Sequence, residues 1–215
     1  WKDEDEKKAF YELLASHPNS VSLAAHTHEH YHHFIGNEYE YPGNESHHMI
    51  SVGTVCGSWW SGAPDEFGIP HAMMSDGTPN GYAFLHIDGN DWKMSWNVAG
   101  KPADFQMHID APETVNADDT ETINVTANIY NALPSADVKM RIGDDGKWVD
   151  MERNPRKDPV RLEAMEREDQ LDELPWRKLG SAHISEHIWV AEQEITLEQG
   201  VQMIQVKAED KWWNY

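Results

Sequence analysis

The sequence predicts a mainly β protein with a helix–strand unit at its start, a loop-rich middle, and an antiparallel immunoglobulin-like β-sandwich at its end. Three observations lead to this fold class. Helical periodicity occurs near the start, turn-forming residues crowd the stretch from about 36 to 81, and period-two alternation recurs after it. The chain has 215 residues, enough for two modest domains, which we place at residues 1–109 and 110–215.

The first two elements form the helix–strand unit. Asp3 followed by Glu6 is typical of a capping box, and Pro18 ends the helix that begins there. The apolar face predicted for this helix comprises Phe10, Leu13 and Leu14. The run SVSLAA at 20–25 predicts a buried strand of an α/β sheet, as the remnant of a larger layer. Histidines follow where this strand ends, and in open α/β sheets the carboxyl ends of strands are where sites are built.

The second half of the chain carries the strand signals. Two hairpins are predicted where DGND and GDDG separate alternating segments, at 82–98 and 137–151. Between them, the run TINVTANIY places four apolar residues on one face: Ile123, Val125, Ala127 and Ile129. Further strands are predicted within 183–195 and 201–210, and a charged helix at 158–175 interrupts the series. Short strands separated by turns in this way are typical of a β-sandwich.

Composition excludes several classes of partner. The 38 acidic and 17 basic side chains give a formal net charge of −21, which disfavours binding to nucleic acid and to anionic membrane surfaces. No window approaches about 18 uninterrupted apolar residues, so no transmembrane helix is predicted. The chain opens on Trp1 with neither a signal peptide nor an initiator Met, so we expect a processed or excised piece. The single Cys56 excludes a disulfide framework.

The histidines after the first strand are candidate metal ligands. Two neutral imidazoles one residue apart, as in His26-x-His28, can bind a transition metal from a strand end. The alternative is a solvated polar loop in which histidines merely recur. A cupin-type metal site is excluded, because it needs a Gly before the motif and a Glu four or five residues beyond it, where His32 and His33 stand.

A resemblance to a known family favours the interpretation of these histidines as metal ligands. The helix–strand unit ends in SLAAHTH, which resembles the last metal-binding motif of calcineurin-like metallophosphoesterases, normally Gly-His-x-His. The blocks GSWWSG and DGTPNGY are similar to the segment that follows this motif in a secreted, mainly bacterial branch. The blocks ADFQMHIDAP and VTANIYNA resemble that branch's C-terminal β-sandwich module, so the resemblance covers nearly the whole chain. The family's earlier Asp-x-His, Gly-Asp and Gly-Asn-His motifs do not occur here. We therefore expect the C-terminal part of such an enzyme, inactive by itself.

The resemblance implies a metal-dependent phosphoester hydrolase outside the cytoplasm, with two divalent ions chosen from Mn, Fe, Zn or Ca. It implies that His26 and His28 each donate a ring nitrogen, one to each metal. Ala25 stands where the motif has Gly, which we interpret as a requirement for a small residue. Candidate contacts to the phosphoester substrate are His30, His47, His48 and Trp60.

Other interpretations stay open for most of these candidates. His30, His32 and His33 could form a solvated loop, and His47 and His48 could be surface polar residues.

Two further blocks have alternative interpretations as well. Trp59 and Trp60 either pack the loop region against the catalytic core or form an aromatic wall for an apolar part of the substrate. The block at 76–81 is interpreted as a turn that fixes the strand starting at Tyr82. A second function class is a non-catalytic extracytoplasmic module, whose sandwich binds carbohydrate or docks another domain.

Overall fold

The computed structural model describes residues 3–65, 67–116, 120–174, 176–197 and 199–214. Within these ranges the chain forms two α-helices, α1 at Glu4–Ala15 and α2 at Pro159–Asp169. The strands in the same ranges are, in chain order, β1 Ser22–Ala24, β2 Tyr31–Ile35, β3 His47–Ser51, β4 Gly81–Asp88, β5 Asp91–Val98, β6 Met107–Asp110, β7 Thr120–Ile129, β8 Asp137–Ile142, β9 Val149–Asp150, β10 Glu152–Arg153, β11 Arg156–Lys157, β12 Ile184–Ser185, β13 Ile188–Thr196 and β14 Ile204–Glu209. The prediction of a mainly β protein is confirmed.

The later strands form two antiparallel sheets that share one core. One sheet has the order β10–β13–β7–β6 and the other β14–β8–β9. The predicted apolar face of β7 is buried in this core: Ile123, Val125, Ala127 and Ile129. Val138 and Met140 of β8 reach the same core from the other sheet. The immunoglobulin-like type of this arrangement and the domain boundary at 109/110 stay predictions.

Both predicted hairpins are confirmed, whereas the strand predicted within 183–195 is divided. β4 pairs with β5 and β8 pairs with β9, each antiparallel. The run at 183–195 forms β12, which pairs with β11, and β13, which pairs with β7. His187 lies between β12 and β13 and is 3 % exposed, with its Nδ1 2.6 Å from the Asn128 Oδ1. The break therefore accommodates a buried polar contact that alternation cannot indicate.

A separate three-stranded sheet at the start of the chain positions the histidines. Its order is β1–β3–β2, with β1 parallel and β2 antiparallel to β3. The prediction that the first strand is buried is wrong, because β1 lies at an edge and Leu23 is 52 % exposed. The central strand β3 is the buried one, with Ile50 fully buried.

The first helix begins as predicted but buries a different residue. The Asp3 carboxylate accepts hydrogen bonds from the N–H groups of Asp5 and Glu6, which caps α1. Tyr11 is buried, and its ring lies 5.7 Å from that of Tyr41. The predicted apolar face is wrong in part, since Phe10 and Leu13 are exposed.

The middle of the chain has few regular elements, as predicted, and packs onto the first hairpin. A second core comprises Met74, Trp96, Val98 and Tyr130, so it joins the 52–80 loop, β5 and the end of β7. The predicted helix at 158–175 is confirmed as α2, whose N-cap Asp158 accepts a hydrogen bond from the Arg161 N–H. In the ranges given above, neither helix is long and apolar enough to cross a membrane.

Candidate functional site

His26 and His28 lie in the loop that follows β1. His26 is exposed and His28 is half-buried. Both have left-handed backbone conformations, with φ of 91° and 56°. Such values are uncommon for residues other than glycine and cluster at functional sites. Ala25 does not share this conformation, so a side chain there costs no strain of this kind.

The orientation of the His28 ring is fixed by its surroundings. Its Nδ1–H donates to the Gly57 carbonyl oxygen. Its face lies against the Trp59 ring, with the ring centroids 3.8 Å apart. With Nδ1 protonated, Nε2 carries the lone pair. This is the arrangement in which metal-binding histidines usually occur, with the second nitrogen held by a carbonyl or carboxylate.

His26 and His28 fit part of a metal site, because a pair of neutral imidazoles is a suitable donor set for Mn, Fe or Zn. They do not complete one. In the part of the chain that the structure describes, no group of three or more His, Cys, Asp or Glu side chains could hold a metal ion. His26 and His28 would therefore need further ligands.

The other candidate histidines belong to a buried hydrogen-bonded cluster. His30 is fully buried, and its Nε2–H donates to the Asn131 Oδ1 over 3.0 Å. His32 donates to the same oxygen over 3.2 Å and accepts from the His48 Nε2–H over 3.0 Å. The solvated-loop interpretation is therefore wrong for His30 and His32. It is also wrong for His33, which is half-buried in β2 and pairs with Met49 of β3.

His47 and His48 are also buried rather than surface residues. His47 Nε2 lies 2.8 Å from the Ser22 hydroxyl, which ties β3 to β1. His48 stacks on Phe34 with the ring centroids 4.2 Å apart, and its ring also faces Trp212. The proposal that these side chains contact substrate stays a prediction.

Asp76, in the block interpreted as a turn, anchors the histidine loop. It is 2 % exposed and accepts hydrogen bonds from the His30 N–H (2.8 Å) and the Thr78 N–H (3.0 Å). Burial by itself raises the pKa of Asp76, but the bond to His187 and the two N–H groups outweigh it, so the pKa is lowered. The turn that contains Asp76 therefore holds the backbone at His30, two residues after His28.

No sequence pattern indicated which residues would bond to this cluster. Asn131 and His187 lie about 100 residues further along the chain, after β7 and before β13. Their position as polar residues next to apolar strands is visible in the sequence, but the groups that they contact are not. His183 was missed in the same way: it is exposed, and its Nδ1–H donates to the carboxylate of Glu29, next to His28.

The two tryptophans of the GSWWSG block face different surroundings. Trp59 lies against His28, and the Arg177 guanidinium is 5.4 Å from its ring. Trp60 lines a separate cavity. Both have left-handed φ, 59° and 55°, and both are substantially exposed.

The family of the chain follows from a comparison with protein-family models. The model described as the C terminal of calcineurin-like phosphoesterase matches residues 50–215, which is more than half of the chain. The chain belongs to this family. The comparisons with curated proteins and with solved structures gave no match.

Membership of the calcineurin-like phosphoesterases indicates a hydrolase of phosphoesters. The matched range contains Asp76, Asn131, His187 and Trp60. It begins at Ile50, after the loop that carries His26 and His28. The assignment of these two histidines as metal ligands therefore rests on their position after β1 and on the resemblance of SLAAHTH to the family's motif.

The buried histidine cluster of this chain predicts an acid-sensitive fold. Burial lowers the pKa of His32, and burial together with Lys211 lowers that of His48 to about 4. An unfolded histidine has a pKa near 6.5, so the unfolded chain binds more protons between these values. The contribution of these histidines to the free energy of unfolding is therefore fully present above about pH 6.5, and it is lost as the pH falls towards 4. Protonation of His48 should account for part of this loss, reduced by the solvent that its ring still contacts.

Urea denaturation at a series of pH values between 7.5 and 4.5 tests this. The many carboxylates also titrate, so the comparison is between variants. His48→Gln should flatten the decrease in unfolding free energy, whereas His86→Gln, at an exposed histidine, should leave it unchanged. Equal pH dependence in wild type and His48→Gln would contradict the prediction.

Proposed function

We propose that this chain contributes His26 and His28 to the two-metal centre of an extracytoplasmic phosphoester hydrolase. The supporting observation is the hydrogen bond from the His28 Nδ1–H to the Gly57 carbonyl, which leaves Nε2 free to face a cation. The ions would be chosen from Mn, Fe, Zn or Ca. The extracytoplasmic location rests on the resemblance to the secreted branch.

Bound metals would supply an activated water and stabilise charge that develops on the phosphoryl oxygens. The residues of this chain would hold and shield them. His26 and His28 would present nitrogens from consecutive bends of one loop. Trp59 would cover one face of His28 and exclude water from it. Asp76 would keep the loop in register through the His30 N–H.

The remaining candidate residues differ in how directly they could contact a substrate. Trp60 has an exposed ring and is proposed as a direct contact. His30 is fully buried, so a direct contact would require its surroundings to open, whereas His47 and His48 in β3 line a pocket.

A binding module remains the second candidate, and one observation favours it. Tyr82 and Phe84 lie on the outer face of β4 and are 46 % and 51 % exposed, with ring centroids 5.5 Å apart. Adjacent exposed aromatic rings can stack on a neutral sugar. Saturable binding of an oligosaccharide by this chain, with no phosphoesterase activity of the complete protein, would favour that function.

Assays on the complete enzyme test the proposed hydrolase. After removal of metal by a chelator, we expect loss of activity on phosphomonoesters or phosphodiesters and recovery when one of the four metals is added. Full activity in the presence of the chelator would overturn the metal-dependent mechanism.

The 215-residue chain alone should bind Zn or Mn weakly, because two imidazoles leave a tetrahedral or octahedral site half empty. Isothermal titration calorimetry with each metal measures this. Tight binding of one metal per chain would indicate a site made entirely of this chain's own residues and would contradict the proposal.

A further inference from the structure

A cavity of about 410 Å³ lies beside Trp60, between the 60–80 loop, the end of β5 and the start of α2. This volume is within the range of about 300–1,000 Å³ that is usual for small-molecule pockets. The lining is mainly apolar and aromatic and includes Trp60, Phe67, Ile69, Val98, Ala99 and Phe105.

The large apolar side chains around this cavity are unusually exposed. Phe67 is 68 % exposed, Ile69 43 % and Trp60 41 %. Clustered apolar exposure of this kind is typical of ligand-binding surfaces, whereas isolated exposed apolar residues are common. Polar groups stand among these walls as well. The Lys101 ammonium lies 6.0 Å from the Phe67 ring and 5.6 Å from the Phe105 ring, and Asp158 is buried in the wall.

The cavity is connected to the histidine loop through two consecutive residues. Trp59 lies against the His28 ring at 3.8 Å, and the next residue, Trp60, lines the cavity. Because both have left-handed φ, the chain turns sharply between them. The 59–60 segment is therefore common to the cavity wall and to the surroundings of the imidazole proposed to bind metal.

We propose that this cavity binds the apolar alcohol portion of the phosphoester, an aryl or arylalkyl group, and so determines the substrate class of the site. This inference rests on the proposed function. It commits to an uncharged group, because most of the lining is apolar or aromatic and an ion held against it would lose hydration without compensation.

Two esters with matched leaving groups provide the probe: 3-phenylpropyl phosphate and propyl phosphate, both esters of primary alkyl alcohols. Burial of the phenyl group should raise kcat/KM of the complete enzyme by roughly 10- to 100-fold over the propyl ester. Ala99→Phe, which fills the cavity, should bring this ratio close to one. Trp60→Ala, which removes an exposed wall, should lower it several-fold. It also serves as the second variant if Ala99→Phe does not fold.

Trp148→Ala is the matched control. Trp148 lies elsewhere, with the Arg141 and Lys207 charged groups 4.9 Å and 4.4 Å from its ring, and its replacement should leave the ratio and the activity unchanged. A wild-type ratio near one, or a ratio that neither cavity variant changes, would overturn the inference.

A binding measurement separates this inference from the proposed function. Calorimetric titration of the 215-residue chain with 3-phenyl-1-propanol, which has no phosphate, should show one saturable site that Trp60→Ala weakens. If the complete enzyme hydrolyses neither phosphomonoesters nor phosphodiesters, the proposed function fails, and the titration still decides whether the cavity binds aryl groups. Absence of saturable binding would overturn the cavity assignment even in an active enzyme.

Discussion

Replacing His26 by alanine in the complete enzyme is expected to lower kcat by roughly 100-fold or more, with little change in stability. Loss of a ligand that positions one of two catalytic metals removes several kcal/mol of transition-state stabilisation, in order of magnitude. His26 is exposed in the loop after β1, so its replacement should change the free energy of unfolding by about 0.5 kcal/mol or less.

The measurement is kcat per folded molecule, together with the melting temperature and the metal content. His33→Ala is the matched control, since His33 lies in β2 of the same sheet and is not among the proposed ligands. It should retain normal turnover. His28→Ala should lose activity as well, but it also removes the Trp59 contact, so His26→Ala is the cleaner test. Near-normal turnover in both His26 and His28 variants would remove them from the metal centre and favour the binding module.

Replacing Trp189 by alanine is expected to have the opposite result, a large loss of stability with near-normal turnover. Trp189 is 1 % exposed and lies in the core shared by the two sheets. Truncation of a buried tryptophan leaves a cavity and costs about 3–5 kcal/mol. The side chain lies in β13, which pairs with β7 and β10 and carries none of the proposed site residues.

Urea denaturation and kcat per folded molecule decide this second prediction. Trp148→Ala again serves as the control, because its ring is only half-buried and lies against the charged groups of Arg141 and Lys207, contacts worth about 1 kcal/mol or less each. A Trp189→Ala protein with unchanged stability would mean that the sandwich core repacks freely. Reduced turnover in its folded fraction would mean that the core and the site are coupled.

The regular elements were predictable because their signals are local. Period-two alternation located β7 and its buried face, turn-forming residues located both hairpins, and Asp3 marked the start of the first helix. Local signals failed for β1, whose apolar composition indicated a buried strand although it lies at a sheet edge. Whether a strand is central or at an edge depends on its neighbours in the sheet, and composition carries that information weakly.

The candidate site was predictable only in part. The position of His26 and His28 after a strand followed from the sequence, because strand ends in α/β sheets are where loops carry functional residues. The burial of His30 and His32 did not follow. Alternating histidines are typical of a polar loop. Burial becomes possible because groups distant along the chain bond to their nitrogens, among them the Asn131 amide, 101 residues away from His30.

By itself the sequence determined a mainly β fold with a helix–strand unit in front, a histidine pair at a strand end, and motifs specific enough to indicate the family. The tertiary structure alone decided that Asp76 holds the histidine loop, that three further histidines form a buried cluster, and that Trp60 opens onto a cavity. The two groups of features differ in how far apart along the chain the interacting residues lie. Periodicity, caps and turns arise between residues a few positions apart. Desolvation, buried hydrogen bonds and cavities arise only when segments distant along the chain pack together, as at the 2.8 Å bond between Asp76 and the His30 N–H.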